Sequence, residues 1–134
     1  MSFDYGSKRT GIAITDPLKI IASPYKTCKS NKVLDFVKDY IENNKIDLFV
    51  VGFPINLKSK STDATRIVKK FIQLLKKTFP LIPVKLIDER YTSKIASKAI
   101  LDAGKNKKYR KEKSNVDRIS ASLILQSYLA NSKI

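Results

Sequence analysis

The chain has 134 residues, of which 27 are Lys or Arg and 12 are Asp or Glu, giving a formal net charge of +15. That length forms one domain with one core, and 43% hydrophobic with 29% charged residues is a folded rather than a disordered composition. A single Cys and no His exclude an intramolecular disulfide, a Cys/His zinc site and His-based acid–base or nucleophilic chemistry, leaving carboxylates, hydroxyls and amines.

Phe3 and Asp4 close a short apolar start, which predicts a short first strand. Gly6 to Gly11 reads as a turn holding Ser7, Lys8, Arg9 and Thr10, after which Ile12 to Thr15 resumes an extended pattern, so a hairpin is expected. Asp16-Pro17 marks a second turn, and Ile20 to Ser23 a third strand stopped by Pro24. Ser30 or Asn31 is placed to cap a helix whose apolar face is Val33, Leu34, Phe36, Val37, Tyr40 and Ile41. Leu48 to Val51 is a continuous apolar run, short enough for a strand buried on both faces, ended by Gly52-Phe53-Pro54.

Residues 55–62 form a polar loop. Ala64, Ile67, Val68, Phe71, Ile72 and Leu75 then fall at helical spacing, with Lys69, Lys70, Lys76 and Lys77 among them. Pro80 and Pro83 bracket a turn before the strand Val84 to Ile87, which runs into Asp88-Glu89-Arg90. Thr92 is placed to cap a helix with Ile95, Ala96, Ala99 and Ile100 inward, stopped by Gly104. A basic stretch, Lys105 to Lys113, leads into a last amphipathic helix, Val116 to Leu129. Three strands followed by alternating helices and strands predict one α/β domain over residues 1–134. Its mixed five-stranded sheet has three antiparallel N-terminal strands and is flanked by helices.

Charge appears within a few residues of Met1 and the longest apolar runs are far too short to cross a bilayer. A cytoplasmic protein with no membrane partner is expected. The net charge implies an anionic partner, most commonly nucleic acid. Lys greatly outnumbers Arg, as a biased composition would give, but bias does not choose where charges sit.

Three carboxylates stand where chemistry could occur. Asp4 ends the first strand beside Tyr5-Gly6; by spacing alone it reads as a turn aspartate. Glu89 ends the Val84–Asp88 segment, and the carboxyl ends of parallel strands are where ligands gather, although pairing with Arg90 or Lys94 would serve a surface carboxylate equally well. Asp88 alternates to the other face. Asp117, in the first turn of the last helix, shares a face with Ser120, Ala121 and Ile124, so it points inward; a helix-dipole role would not require that face. Three converging carboxylates repel unless cations sit between them, and hard divalent cations prefer oxygen ligands. Two such ions about 4 Å apart can clamp the attacking water and the leaving oxygen of a phosphodiester. Lys8 and Arg9 lie near Asp4, and Lys105, Lys107, Lys108, Arg110, Lys111 and Lys113 just before Asp117, as phosphate-gripping groups would.

Four segments carry a resemblance. Asp4-Tyr5-Gly6-Ser7-Lys8-Arg9-Thr10-Gly11-Ile12-Ala13 resembles the opening motif of the YqgF family of RuvX-like resolvases. Val51-Gly52-Phe53-Pro54-Ile55-Asn56 is similar to its Val-Gly-Leu-Pro-Leu-Asn loop, and Asp88-Glu89-Arg90-Tyr91-Thr92-Ser93 to its Asp-Glu-Arg block. The segment from Asp117 to Tyr128 resembles its closing helix, with Ser122 where a small apolar residue is more usual. The motifs occur in the family's order over nearly the whole chain.

The resemblance implies an RNase H-like fold and a metal-dependent endonuclease that matures the 5′ end of pre-16S ribosomal RNA. It also implies that Asp4, Glu89 and Asp117 are the catalytic and metal-holding residues, with Mg²⁺ or Mn²⁺ as cofactor. Lys8, Arg9, Asn56, Arg66, Arg90, Lys107, Lys108, Arg110 and Lys111 are the expected nucleic-acid contacts. Structured RNA or branched DNA is the expected partner, and the protein is expected to be a monomer or a weak homodimer. A junction-cutting DNA nuclease using the same site and a non-catalytic RNA-binding assembly factor are the alternatives. A sugar-kinase or actin-like ATPase, which also opens on an Asp-x-Gly hairpin, would need a second domain for which 134 residues leave no room.

Overall fold

The computed structural model describes residues 1–53, 63–88 and 113–132. The chain forms β1 (Ser2–Tyr5), β2 (Arg9–Thr15) and β3 (Ala22–Lys29), then a 3₁₀ turn (Ser30–Lys32) leading into α1 (Val33–Asn43). Next come β4 (Phe49–Phe53), α2 (Asp63–Thr78), β5 (Val84–Asp88) and α3 (Lys113–Ser132). The five strands make one sheet in the order β3-β2-β1-β4-β5. β1, β2 and β3 are antiparallel, whereas β4 runs parallel to β1 and β5 parallel to β4. This is the mixed sheet expected from the sequence, in an RNase H-like arrangement with β1 at its centre.

Alternation along the strands divides the molecule into layers. Phe3 and Tyr5 of β1 point to one face, where the Phe3 ring meets Phe49 at 5.7 Å and Phe71 at 5.3 Å and Tyr5 stacks on Phe71 at 4.1 Å. Val33 and Val37 of α1 and Val68, Phe71, Ile72 and Leu75 of α2 close that core. The other face is covered by α3, whose Ala121, Ile124, Leu125 and Leu129 pack on Ala13, Ala22 and Val50, with Ile87 alongside.

Several local expectations are corrected. Arg9, Thr10 and Gly11 are strand, not turn, because their backbone pairs with Tyr5, Asp4 and Lys29 to Thr27 on either side. The third strand starts at Ala22 and runs through Pro24 to Lys29 rather than ending at Ser23. Pro24 is tolerated because β3 is an edge strand and the register shifts there: Ile12 faces Lys26 and Ala13 faces Pro24, so Tyr25 is the extra residue of a bulge. Ile20 and Ile21 instead lie in the β2–β3 connection, where the Asp16 carboxylate accepts both their N–H groups at 2.8 Å. Ser30 does not cap α1, which has no side-chain cap; its hydroxyl is used elsewhere. α3 begins at Lys113, so Asp117 lies in its second turn rather than its first. The expected loop 55–62 and the expected helix from Thr92 lie outside the described residues.

Candidate active site

Asp4 and Gly11 are direct partners across the β1–β2 ladder, and such partners project to the same face of a sheet. That face is the α3 face: a Cβ built on Gly11 would lie 2.0 Å from the Asp117 carbonyl oxygen and 2.9 Å from the Arg118 nitrogen. Two residues before Asp4, on the same side of β1, the buried Ser2 hydroxyl donates to the Ala121 carbonyl at 2.7 Å. Asp117 is one helical turn before Ala121. Asp4 therefore faces the α3 layer at the level of Asp117, and the missing side chain of Gly11 is what lets the helix backbone come close to the sheet there. Ala13, the next residue of β2 on this face, is also small and fully buried under α3.

The turn Gly6–Lys8 forms the rim. The Gly6 N–H donates to the Arg9 carbonyl at 2.9 Å, and a Cβ on Gly6 would lie 2.7 Å from that same oxygen, so only glycine fits. The buried Ser30 hydroxyl donates to the Gly6 carbonyl and sits 2.8 Å from the Thr10 hydroxyl, while the Ser30 N–H donates to the Lys8 carbonyl at 3.0 Å. Since Ser30 has one proton, spent on Gly6, Thr10 is the donor of that pair. The start of the first helical segment thus holds the turn that follows Asp4.

Gly6, Ser7, Lys8, Arg9 and Asp117 line a cavity of about 370 Å³ at this rim. Arg9, on the same face as Gly11, donates its Nε to Asp117 Oδ2 at 3.1 Å. The pair is solvent-facing, with side chains 41% and 24% exposed. Sequence reasoning expected Arg9 to grip nucleic acid; here its guanidinium already sits on a proposed metal-holding carboxylate. A larger cavity of about 860 Å³ lies at the other end of the sheet, lined by Met1, Tyr40, Asp47, Lys85 and Leu129 among others, and it contains none of the expected site residues.

β5 places Ile87 beside Gly52, in the α3 layer, and Asp88 beside Phe53, on the opposite face. Asp88 therefore faces away from Asp4, as alternation predicted. Glu89 lies outside the described residues, as do Asn56, Arg90, Lys107, Lys108, Arg110 and Lys111. Arg66 is exposed on α2, across the sheet from Asp4 and Asp117, and is not brought to them. Among the described residues no three acidic or thiol side chains gather as a metal cluster. The donor chemistry still fits a hard cation. Asp4 and Asp117 offer oxygen donors on the same sheet face, and a guanidinium already serves as counter-charge to Asp117. The Ser120 hydroxyl, one turn beyond Asp117 and fully buried, has no hydrogen-bond partner among the described residues, a polar group left over in the same helix face.

Gly11, Ser30 and the Arg9–Asp117 pair were missed by sequence reasoning. A usable signal for the first was present: Gly11 and Ala13, two small residues at strand spacing, mark a face over which a helix can come close.

Residues 1–131 match the family model described as RuvX, Holliday junction resolvase. The chain is 44% identical to a protein of Amoebophilus asiaticus over 99% of its own length and 94% of that protein, and 45% identical to one of Parabacteroides distasonis over 99% and 95%. A protein of Porphyromonas gingivalis is 42% identical over 98% and 95%. All three carry the name "Putative pre-16S rRNA nuclease". Among solved structures, the fowlpox virus resolvase in complex with Holliday junction DNA shares the fold, with a TM-score of 0.55 at 18% identity over 98% of this chain and 96% of that one.

Proposed function

The chain belongs to the RuvX family of Holliday junction resolvases, and from that premise we propose that it is an endonuclease that hydrolyses phosphodiester bonds in pre-16S ribosomal RNA. The observation that carries this reading is that Gly11 pairs with Asp4 on one side and lies under the Asp117 backbone on the other, so both aspartates belong to the α3 face, with Asp117 lining a cavity together with Lys8 and Arg9. Relatives of 42–45% identity bearing the nuclease name support the substrate.

Asp4 and Asp117 are the two ends of the proposed metal-holding set. Glu89 is the third member: it follows Ile87 by two positions, and Ile87 lies in the α3 layer that Asp4 faces. Mg²⁺ or Mn²⁺ bound by these carboxylates would supply Lewis-acid activation of water and charge neutralisation at the phosphate. The protein's own residues do the rest. Ser2 and Gly11 fix the height of α3 against β1, and so the separation of the two aspartates. Ser30 and Thr10 hold the Gly6–Lys8 turn, which presents Lys8 to the incoming backbone. Arg9 balances Asp117 and is placed to move onto a substrate phosphate, exchanging one anionic partner for another.

This reading puts the protein in the cytoplasm with structured RNA as its partner; none of the described helices is long and apolar enough to cross a membrane. The family description favours a second reading, in which the same carboxylates cut four-way DNA junctions. Symmetric cutting would then require two copies related by a two-fold axis. The test is incubation of the purified protein with 5′-extended 16S precursor RNA and with a four-way DNA junction, each with and without Mg²⁺. Cation-dependent cleavage of the RNA alone is expected; cleavage of the junction alone establishes the second reading, and cleavage of neither contradicts both.

A further inference from the structure

α2 carries a charged feature that the site leaves unused. Thr65, Val68, Phe71, Ile72 and Leu75 form its buried side. Arg66, Lys69, Lys70, Gln73, Lys76 and Lys77 are all exposed; the rows 66, 69, 73, 76 and 66, 70, 73, 77 run at spacings of three and four residues, and so form one stripe along the helix. Asp63, at the start of the helix, is its sole acid. Like charges one turn apart repel, and among the described residues no ion pair engages the four lysines.

The neighbouring helix has the opposite sign. α1 packs on the same sheet face, and its exposed Asp35, Asp39 and Glu42 are four and three residues apart, an acidic stripe broken by Lys38 alone. A surface charged for solubility intersperses the two signs. Here they are sorted onto separate helices of one sheet face, so a polyanion on that face is drawn to α2 and repelled by α1.

The dimensions suit a nucleic-acid strand. Lys77 lies eleven residues beyond Arg66, so the stripe is about 16 Å long at 1.5 Å per residue, the axial length of about five base pairs of duplex at 3.4 Å each. Arg66 is at the end of the helix nearer the carboxyl end of β4, the end of the sheet at which Asp4 and Asp117 stand, but on the other face of the sheet. A backbone lying on α2 cannot be the segment held between those aspartates.

We propose that α2 is a second backbone-binding ridge, which holds a separate arm of a structured or branched nucleic acid while another segment enters the carboxylate site. The proposal rests on the reading of the protein as a nuclease of folded nucleic acid, and specifies the shape of the substrate.

The test replaces Lys69, Lys70, Lys76 and Lys77 together by Gln. Binding of a labelled RNA hairpin, a four-way DNA junction and a short single strand is then measured across a KCl series. The slope of log affinity against log salt should fall by about 3–4 for the hairpin or the junction, with affinity at low salt weakened about tenfold or more, while cleavage of the short strand keeps its kcat. Loss confined to the hairpin assigns the ridge to an RNA arm; loss on both ligands assigns it to duplex backbone of either kind. A triple variant of α1, D35N/D39N/E42Q, should bind at least as tightly as the parent. If the quadruple variant fails to fold by circular dichroism, K69Q/K70Q and K76Q/K77Q are each expected to give about half the change in slope. Unchanged slope and affinity for both folded ligands overturn the proposal. Because binding is read rather than cleavage, the ridge can fail while Asp4→Asn still abolishes cutting, and the reverse.

Discussion

At Gly11 the sheet and α3 come so close that a methyl group would sit 2.0 Å from the Asp117 carbonyl oxygen. The atoms it would strike are backbone, which cannot rotate away. Gly11→Ala should therefore destabilise the fold by about 1–3 kcal/mol or more, read as a lower denaturant midpoint, and should separate Asp4 from Asp117; a midpoint equal to the parent's contradicts the close approach. Arg9 makes a different kind of contribution. Its pair with Asp117 is partly solvent-exposed, so Arg9→Gln should change stability by at most about 1 kcal/mol. It should, however, lower the Mg²⁺ concentration that half-saturates the protein in a calorimetric titration, because a cation beside Asp117 opposes the binding of another. A half-saturation point that stays put or rises would show that Arg9 does not compete there. Neither role was legible from the residue alone. Asp4 read as a turn aspartate because Gly6 follows two residues later, and only the Asp4–Gly11 register turns it towards α3.

At the scale of elements, the order and type of the described strands and helices were readable because their periodicities are clean: alternation in β1 and β2, continuous apolar residues in β4, a 3.6-residue stripe in α2. Boundaries were not, and each miss has a tertiary cause. Ile20 and Ile21 look like strand, but Asp16 takes both their N–H groups and folds them into the connection. Those two donors, Ile21 foremost, hold the Asp16 carboxyl below its ordinary range. The sign follows: with the folded value lowered, the unfolded chain takes up the proton first as pH falls, so the loop's stabilisation is whole above the ordinary aspartate range and is lost as the pH drops through it. The amide shifts of Ile20 and Ile21 should accordingly titrate with a midpoint below that of an unstructured aspartate, and the step should vanish in Asp16→Asn. A midpoint at or above the ordinary value contradicts the capping geometry. Ser30 is a parallel case. A serine before an apolar run suggests a cap, but its hydroxyl ties Gly6 and Thr10 instead. Ser30→Ala leaves buried polar partners unsatisfied and should cost about 1–3 kcal/mol, with the denaturant slope unchanged; a change within about 0.5 kcal/mol, the range of neutral surface substitutions, would show that the turn stands without it.

The whole molecule is an RNase H-like sheet with basic groups on both of its faces. Its net charge of +15 said that a polyanion was wanted but not where. The fold answers in part: Lys8 and Arg9 stand at the rim beside Asp117, and the lysines of α2 run down the far side of the sheet. We propose Glu89 and the basic 105–113 segment as partners of the two aspartates. In the proposed site Asp4 is the residue that matters most, since it stands on the central strand and faces the α3 layer beside Gly11. Asp4→Asn keeps shape and volume while removing the charge. The decisive measurement is the cleavage rate of 5′-extended 16S precursor RNA at saturating Mg²⁺ by this variant against the parent. A fall of about 10³-fold or more, with RNA affinity at least equal to the parent's, is the predicted result; cleavage at the parent's rate would contradict the assignment of the carboxylate site.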